Sequence, residues 1–127
     1  MEIKSFRDLI VWQKAMSFVT EVYRITARFP SDERFGLTAQ LRRSCVSVPS
    51  NIAEGHGRAS TKEYLKFLSI AYGSLNEAQT QIMIAERLGF ISPEESGRLL
   101  ELASEIGRMT NALCSSLNAK LDQGGVP

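Results

Sequence analysis

The chain has 127 residues, 43% of them hydrophobic and 23% charged, with a formal net charge of +1. That length gives one domain with room for a real core and little for a second, and that composition excludes disordered and collagen-like chains. The near-neutral total excludes the overall basic excess of many nucleic-acid binders, but the halves differ: residues 1–66 hold eleven Lys/Arg against seven Asp/Glu, and residues 67–127 hold four against seven.

The chain punctuation predicts four helical blocks. Ser5 can cap the first, with Asp8 at the positive end of its dipole. It runs to about Arg28, where Phe29-Pro30 stops it, because the residue before proline is pushed out of the α region. Ser31 can begin the second block, which settles into helix near Phe35 and runs to Glu54, with Gly55-His56-Gly57 ending it. Pro49 lies inside this block and removes one backbone hydrogen bond. It predicts a kink there or, alternatively, two shorter helices. Ser60 with Glu63 has the spacing of a capping box for the third block, which runs to about Arg87. After the turn Leu88 to Ile91, Ser92-Pro93-Glu94-Glu95 supplies an N-cap serine, proline at N1 and glutamate at N3. The fourth block runs to about Lys120. A bundle domain over 1–121 and a flexible tail over 122–127, containing Gly124-Gly125, complete the reading.

Each block carries an apolar seam at steps of three and four. The seams are Leu9, Trp12, Met16, Val19, Tyr23; Leu37, Leu41, Cys45, Val48, Ile52; Leu68, Ala71, Leu75, Ala78, Ile82; and Leu99, Leu102, Ile106, Met109, Leu113. Such seams pack at small crossing angles, and short turns make successive helices antiparallel. The predicted fold is all-α, an antiparallel up-and-down four-helix bundle whose second helix is kinked near Pro49. The first block has a second stripe: Val11, Ala15, Phe18, Val22 and Ile25. A helix apolar over so wide an arc has a broad core face or binds something. The second alternative makes Val11, Phe18, Val22 and Ile25 a subunit interface.

Catalytic signals are weak. His56 is the single histidine and sits in a glycine-flanked turn near Glu54 and Cys45, where a lone histidine is ordinarily solvated. The spacing of Cys45 and Cys114 fits no disulfide framework or zinc site. No metal, cofactor, small-molecule substrate or enzymatic activity is expected. The N-terminus lacks the apolar region of a signal peptide, and no window approaches the roughly 18 uninterrupted apolar residues of a membrane span. A cytoplasmic location is the expectation.

The most specific local feature lies on the second block. Gln40, Arg43, Ser47, Asn51, Glu54 and Arg58 recur at steps of three and four, about 100° from the apolar seam. Arg42 beside Arg43 offers planar groups suited to phosphate or carboxylate. Arg58, Lys62 and Lys66 carry the basic character into the third block. Two readings are open. The stripe is intramolecular, with Glu54 paired to an arginine and Asn51 bridging helices, or it is an anion site for RNA or DNA phosphates. A site with so few cations binds weakly in one copy and gains by repetition in an oligomer.

Gln40-Leu41-Arg42-Arg43, then Ser47, then Asn51-Ile52-Ala53-Glu54-Gly55-His56-Gly57-Arg58, resembles the core motif of the 23S rRNA intervening-sequence proteins, also called the four helix bundle protein family. Phe6-Arg7-Asp8-Leu9 with Val11-Trp12-Gln13-Lys14-Ala15 is similar to that family's opening, and Phe29-Pro30 to its first turn. Glu63-Tyr64, Phe67 to Ala71 and Gly73 to Glu77 are similar to its third helix. The resemblance covers about residues 5–120. It implies an up-and-down bundle, a homopentamer and a link to RNA or ribosomes. A related branch, the accessory variability determinant of diversity-generating retroelements, is a basic pentamer that binds nucleic acid; this chain, at +1, departs from that charge. The expectation is a non-catalytic protein, oligomeric as the resemblance implies, in which the polar stripe and the basic first half of the chain put Arg42, Arg43, Arg58, Lys62 and Lys66 on nucleic acid. The alternative is a scaffold in which Gln40, Ser47, Asn51 and Glu54 serve internally.

Overall fold

Four α-helices carry the computed structural model, which describes residues 2–124. They are α1 (Ile10–Thr26), α2 (Leu37–His56), α3 (Thr61–Arg87) and α4 (Pro93–Gly124), with short 3-10 turns at Phe6–Asp8 and Ser31–Glu33. No strand occurs among the described residues. α1 packs on α2 and α4, α3 packs on α2 and α4, and the diagonal pairs do not approach. With short connections between successive helices, this is the antiparallel up-and-down four-helix bundle expected from the seams.

The helix starts follow from local hydrogen bonding. Ser60 Oγ accepts from the Glu63 amide at 3.1 Å and caps α3. Ser92 and Glu95 form a reciprocal box at α4: the Glu95 amide donates to Ser92 Oγ (3.1 Å) and the Ser92 amide to Glu95 Oε1 (3.2 Å). Ser5 and Asp8 also form a capping box, but it closes the 3-10 turn. Extended Leu9 follows, and α1 begins only at Ile10. α2 starts at Leu37, whose amide donates to Glu33 Oε1 at 3.1 Å, so Glu33 and not Ser31 supplies its side-chain partner. α3 ends in a Schellman turn: the Phe90 amide reaches the Ala85 carbonyl (2.9 Å) and the Gly89 amide the Glu86 carbonyl (3.0 Å), with Gly89 at φ +78°. α4 continues past Lys120 to Gly124, through the first part of the expected tail; residues 125–127 of that tail lie outside the described residues.

α2 runs unbroken through Pro49. Two shorter helices are therefore ruled out, and the proline leaves the Cys45 carbonyl without its usual donor. Gly55 lies inside this helix, not beyond its end. A Cβ there would sit 2.8 Å from Phe67 Cβ and 3.0 Å from Tyr64 Cδ1. The absence of a side chain at Gly55 is what lets the C-terminal turn of α2 approach the start of α3.

The core contains the expected seams of α2 and α3, with Leu41, Cys45, Val48 and Ile52 facing Leu68, Ala71, Leu75, Ala78 and Ile82. From α4 it takes Leu99, Ala103 and Ile106. α1 reverses the expectation. Val11, Phe18, Val22 and Ile25, which the sequence offered as a subunit interface, are between 0% and 6% exposed inside the protomer's own core. The stripe read as core turns outward: Met16 and Tyr23 are each 42% exposed, and Trp12 and Val19 are half-buried. Two adjacent apolar stripes differ by a rotation of the helix, and the neighbouring helices choose between them. The larger side chains with polar tips, Trp12 and Tyr23, take the rim, where ring and tip find different surroundings.

Candidate functional site

The stripe on α2 divides into an inner and an outer part. Asn51 Nδ2 donates to the Ser47 carbonyl (2.8 Å) and to Ser47 Oγ (2.9 Å). Ser47 Oγ in turn lies 2.8 Å from Ser74 Oγ on α3. These groups tie α2 to α3. Arg42 is tied to α1. Its Nε donates to Thr26 Oγ1 at 2.8 Å, Nη2 reaches the Tyr23 carbonyl at 3.3 Å, and the guanidinium lies 4.4 Å from the Tyr23 ring centre. It joins the Ala27 amide on the Tyr23 carbonyl and adds the Thr26 hydroxyl as a second acceptor, fastening α2 to the last turn of α1. Arg42, expected on phosphate, is therefore engaged in the fold.

The outer part keeps its charge available. Arg43 is exposed and forms no ion pair among the described residues, and the same holds for Lys62 and Lys66 on the first turns of α3. Arg58 pairs with Glu54 at 2.5 Å and lies 4.6 Å from the Phe67 ring centre. That pair is exposed, and exposed pairs contribute only about 0–1 kcal/mol, so Arg58 can exchange Glu54 for another anion at little cost. The cations do not form one cluster. Arg43 stands roughly 20 Å along the helix axis from the Arg58, Lys62 and Lys66 group.

Arg43 borders a cleft of about 410 Å³ between α2 and α3. Gln40, Arg43 and Ser47 line one wall; Ser74, Glu77 and Gln81 line the other. Gln81 is 8% exposed, and its Oε1 has no hydrogen-bond partner. Glu77 is exposed and unpaired among the described residues. The sequence reading did not single out the α3 wall. Its signal was present: Ser74, Glu77 and Gln81 recur at steps of three and four, as the α2 residues do.

The groups considered for catalysis have separate surroundings. Cys45 is fully buried, its thiol donates to the Arg42 carbonyl at 3.3 Å, and burial pushes its pKa up to about 12. It stays a thiol at neutral pH, and the thiolate is the nucleophilic form. The His56 ring stands edge-on to Tyr64 at 5.8 Å between centres, and Glu54 faces outward to Arg58. No group of three His, Cys, Asp or Glu is placed to hold a metal among the described residues. No helix among them is long and apolar enough to cross a membrane.

A second surface feature lies on the opposite flank of α2. Trp12, Met16 and Val19 of α1 and Val46, Pro49 and Ala53 of α2 line an apolar groove of about 360 Å³. Across the bundle, Met83, Ile84 and Leu88 expose 53%, 43% and 57% of their surface on and just after α3.

Comparison with known proteins gives a family and a fold. The family of the 23S rRNA-intervening sequence protein matches over residues 7–112. A crystal structure of a protein of unknown function from the S23 ribosomal protein family of Bacteroides thetaiotaomicron superposes with a TM-score of 0.77 at 21% identity, covering 83% of this chain and 98% of that one. At that identity the likeness is one of fold. No functionally curated protein matches the sequence.

Proposed function

The chain belongs to the 23S rRNA-intervening sequence protein family, and from that membership we propose that it is a non-catalytic, self-associating bundle that binds RNA through the outer cations of α2 and α3. The observation that carries this reading is the division of the stripe. Arg42 is held by α1, whereas Arg43, Lys62 and Lys66 present unpaired charge to solvent. Arg58 joins them when a phosphate replaces Glu54. DNA phosphates offer the same chemistry; the family's link to rRNA favours RNA, and a cytoplasmic location goes with such a partner.

Three or four cations per protomer bind weakly, so the reading includes an oligomer that repeats them, five-fold as the family resemblance implies. Two unlike apolar surfaces support head-to-tail closure: the α1–α2 groove on one flank and Met83, Ile84 and Leu88 on the other. Pairing of unlike patches generates a ring when the rotation from one copy to the next closes. The basic first half and acidic second half of the chain oppose charges across such a contact.

The scaffold alternative is favoured by the Asn51–Ser47–Ser74 connection, which uses two of the six stripe residues internally. Two substitutions separate the readings. Arg43→Ala weakens RNA binding and leaves stability within about 0.5 kcal/mol, as for an exposed side chain. Arg42→Ala costs about 1–2 kcal/mol in thermal melts, by loss of its hydrogen bonds to α1, and leaves RNA affinity near that of the parent. An Arg43→Ala protein that binds RNA as the parent does overturns the RNA reading.

A further inference from the structure

We propose that the α2–α3 cleft reads a base: it takes one unpaired guanine of a bound RNA, with Glu77 and Gln81 on the base edge and Arg43 on the neighbouring phosphate. The inference rests on the RNA reading above and names what that surface selects.

A carboxylate on a surface that receives phosphates repels them, and like charges brought together are unfavourable. Glu54 is neutralised by Arg58, but Glu77 has no cation among the described residues, although Arg43 borders the same cleft. A free carboxylate beside a phosphate site is accounted for when it accepts N–H groups from a base. Its two oxygens present two parallel acceptors. Of the RNA bases, only guanine places two donors side by side on its pairing edge, the ring N1–H and the exocyclic N2 amino group. Adenine and cytosine set a donor beside an acceptor, and uracil sets its donor between two acceptors.

Gln81 supplies the independent observation. It is 8% exposed and lines the cleft, yet its Oε1 has no hydrogen-bond partner. That oxygen is closed to solvent in the free protein and its lack of a partner is costly, so rotation of the Gln81 side chain to meet a donor that a ligand supplies in the cleft is favoured. Glu77 and Gln81 stand four residues apart on one helix and are therefore neighbours on its surface. The guanine amino group has two hydrogens: one serves Glu77, the other Gln81 Oε1. Arg43, on the opposite wall, is unpaired and suits the adjoining phosphate with its planar donor fork. Reading of base edges by hydrogen bonds is characteristic of single-stranded RNA, whose bases are free of the helix.

The test is fluorescence-anisotropy titration of the full chain with three uridine-rich RNA oligomers of equal length. One carries a single central guanosine, one inosine at that position, which lacks the amino group, and one uridine throughout. The guanosine oligomer is expected to bind about tenfold more tightly than the all-uridine one, the scale of one good bidentate base contact, with inosine between them. Glu77→Gln is expected to abolish the preference while leaving binding of the all-uridine oligomer equal or tighter. Glu77 is exposed on a helix, and a thermal melt of the variant checks that the fold is kept. Equal binding of all three oligomers, or a guanosine preference that survives Glu77→Gln, overturns the base pocket while the RNA reading stands. Absence of binding by every oligomer at low salt overturns both.

Discussion

Arg42 and Arg43 are chemically identical neighbours, and the two face different surroundings because each helical step turns the chain by about 100°. One grips Thr26 and Tyr23; the other stands free at the cleft. The sequence placed both on phosphate, since a helical wheel gives the direction of a side chain and not the identity of what lies there. Asn51 was expected to bridge helices, yet it donates only to Ser47 one turn back on its own helix; Ser47 makes the reach to Ser74 on α3, a partner that a single helix cannot reveal. Glu95 shows a residue whose cap role was legible and whose ion pair was not. The Arg28 guanidinium beside it, then the Ser92 amide, hold its carboxyl below the usual carboxylate range. A depressed carboxyl pKa contributes stability that is present above the unfolded value and lost as pH falls through the folded value. Melts taken from neutral pH to below about pH 4 should therefore show a steeper acid loss for the parent than for Glu95→Gln. Parallel pH profiles would remove Arg28–Glu95 as a tie between the end of α1 and the start of α4.

At the scale of the element, the seams of α2 and α3 and the caps of α3 and α4 were legible because each is set within a single helix. What depends on a second helix was not. Gly55 read as a terminator, yet it is helical and needed for the close passage of α3 at Phe67 and Tyr64. α1 carries two apolar stripes, and the buried one is Val11, Ala15, Phe18, Val22 and Ile25. The surplus apolar surface that suggested an interface persists, but it is the other stripe, around Trp12, Met16 and Val19, beside Val46 and Pro49. Met16→Lys places a charge in this groove at a side chain already 42% exposed. It should lower the assembly state seen in sedimentation while leaving the helical content of the protomer unchanged by circular dichroism. Unchanged sedimentation would move the self-association surface away from α1.

Across the whole molecule, four helices in cyclic order set the α1–α2 groove opposite the exposed side chains of α3, with the polar cleft between α2 and α3 separate from the groove. Self-association through the flanks would leave Arg43, Lys62 and Lys66 of every protomer able to act together. The fold and family were legible because the motifs run nearly the length of the chain; the cation arrangement was not, because a net charge of +1 conceals it. Both parts of the proposed function meet in the salt dependence of RNA affinity. Each phosphate neutralised on a single strand adds about −0.7 to the slope of log affinity against log salt, so three free cations on one protomer give a slope of about −2. The account predicts a clearly steeper slope for the parent protein, because several protomers contact one RNA. No binding at low salt, or a slope near zero, would contradict it.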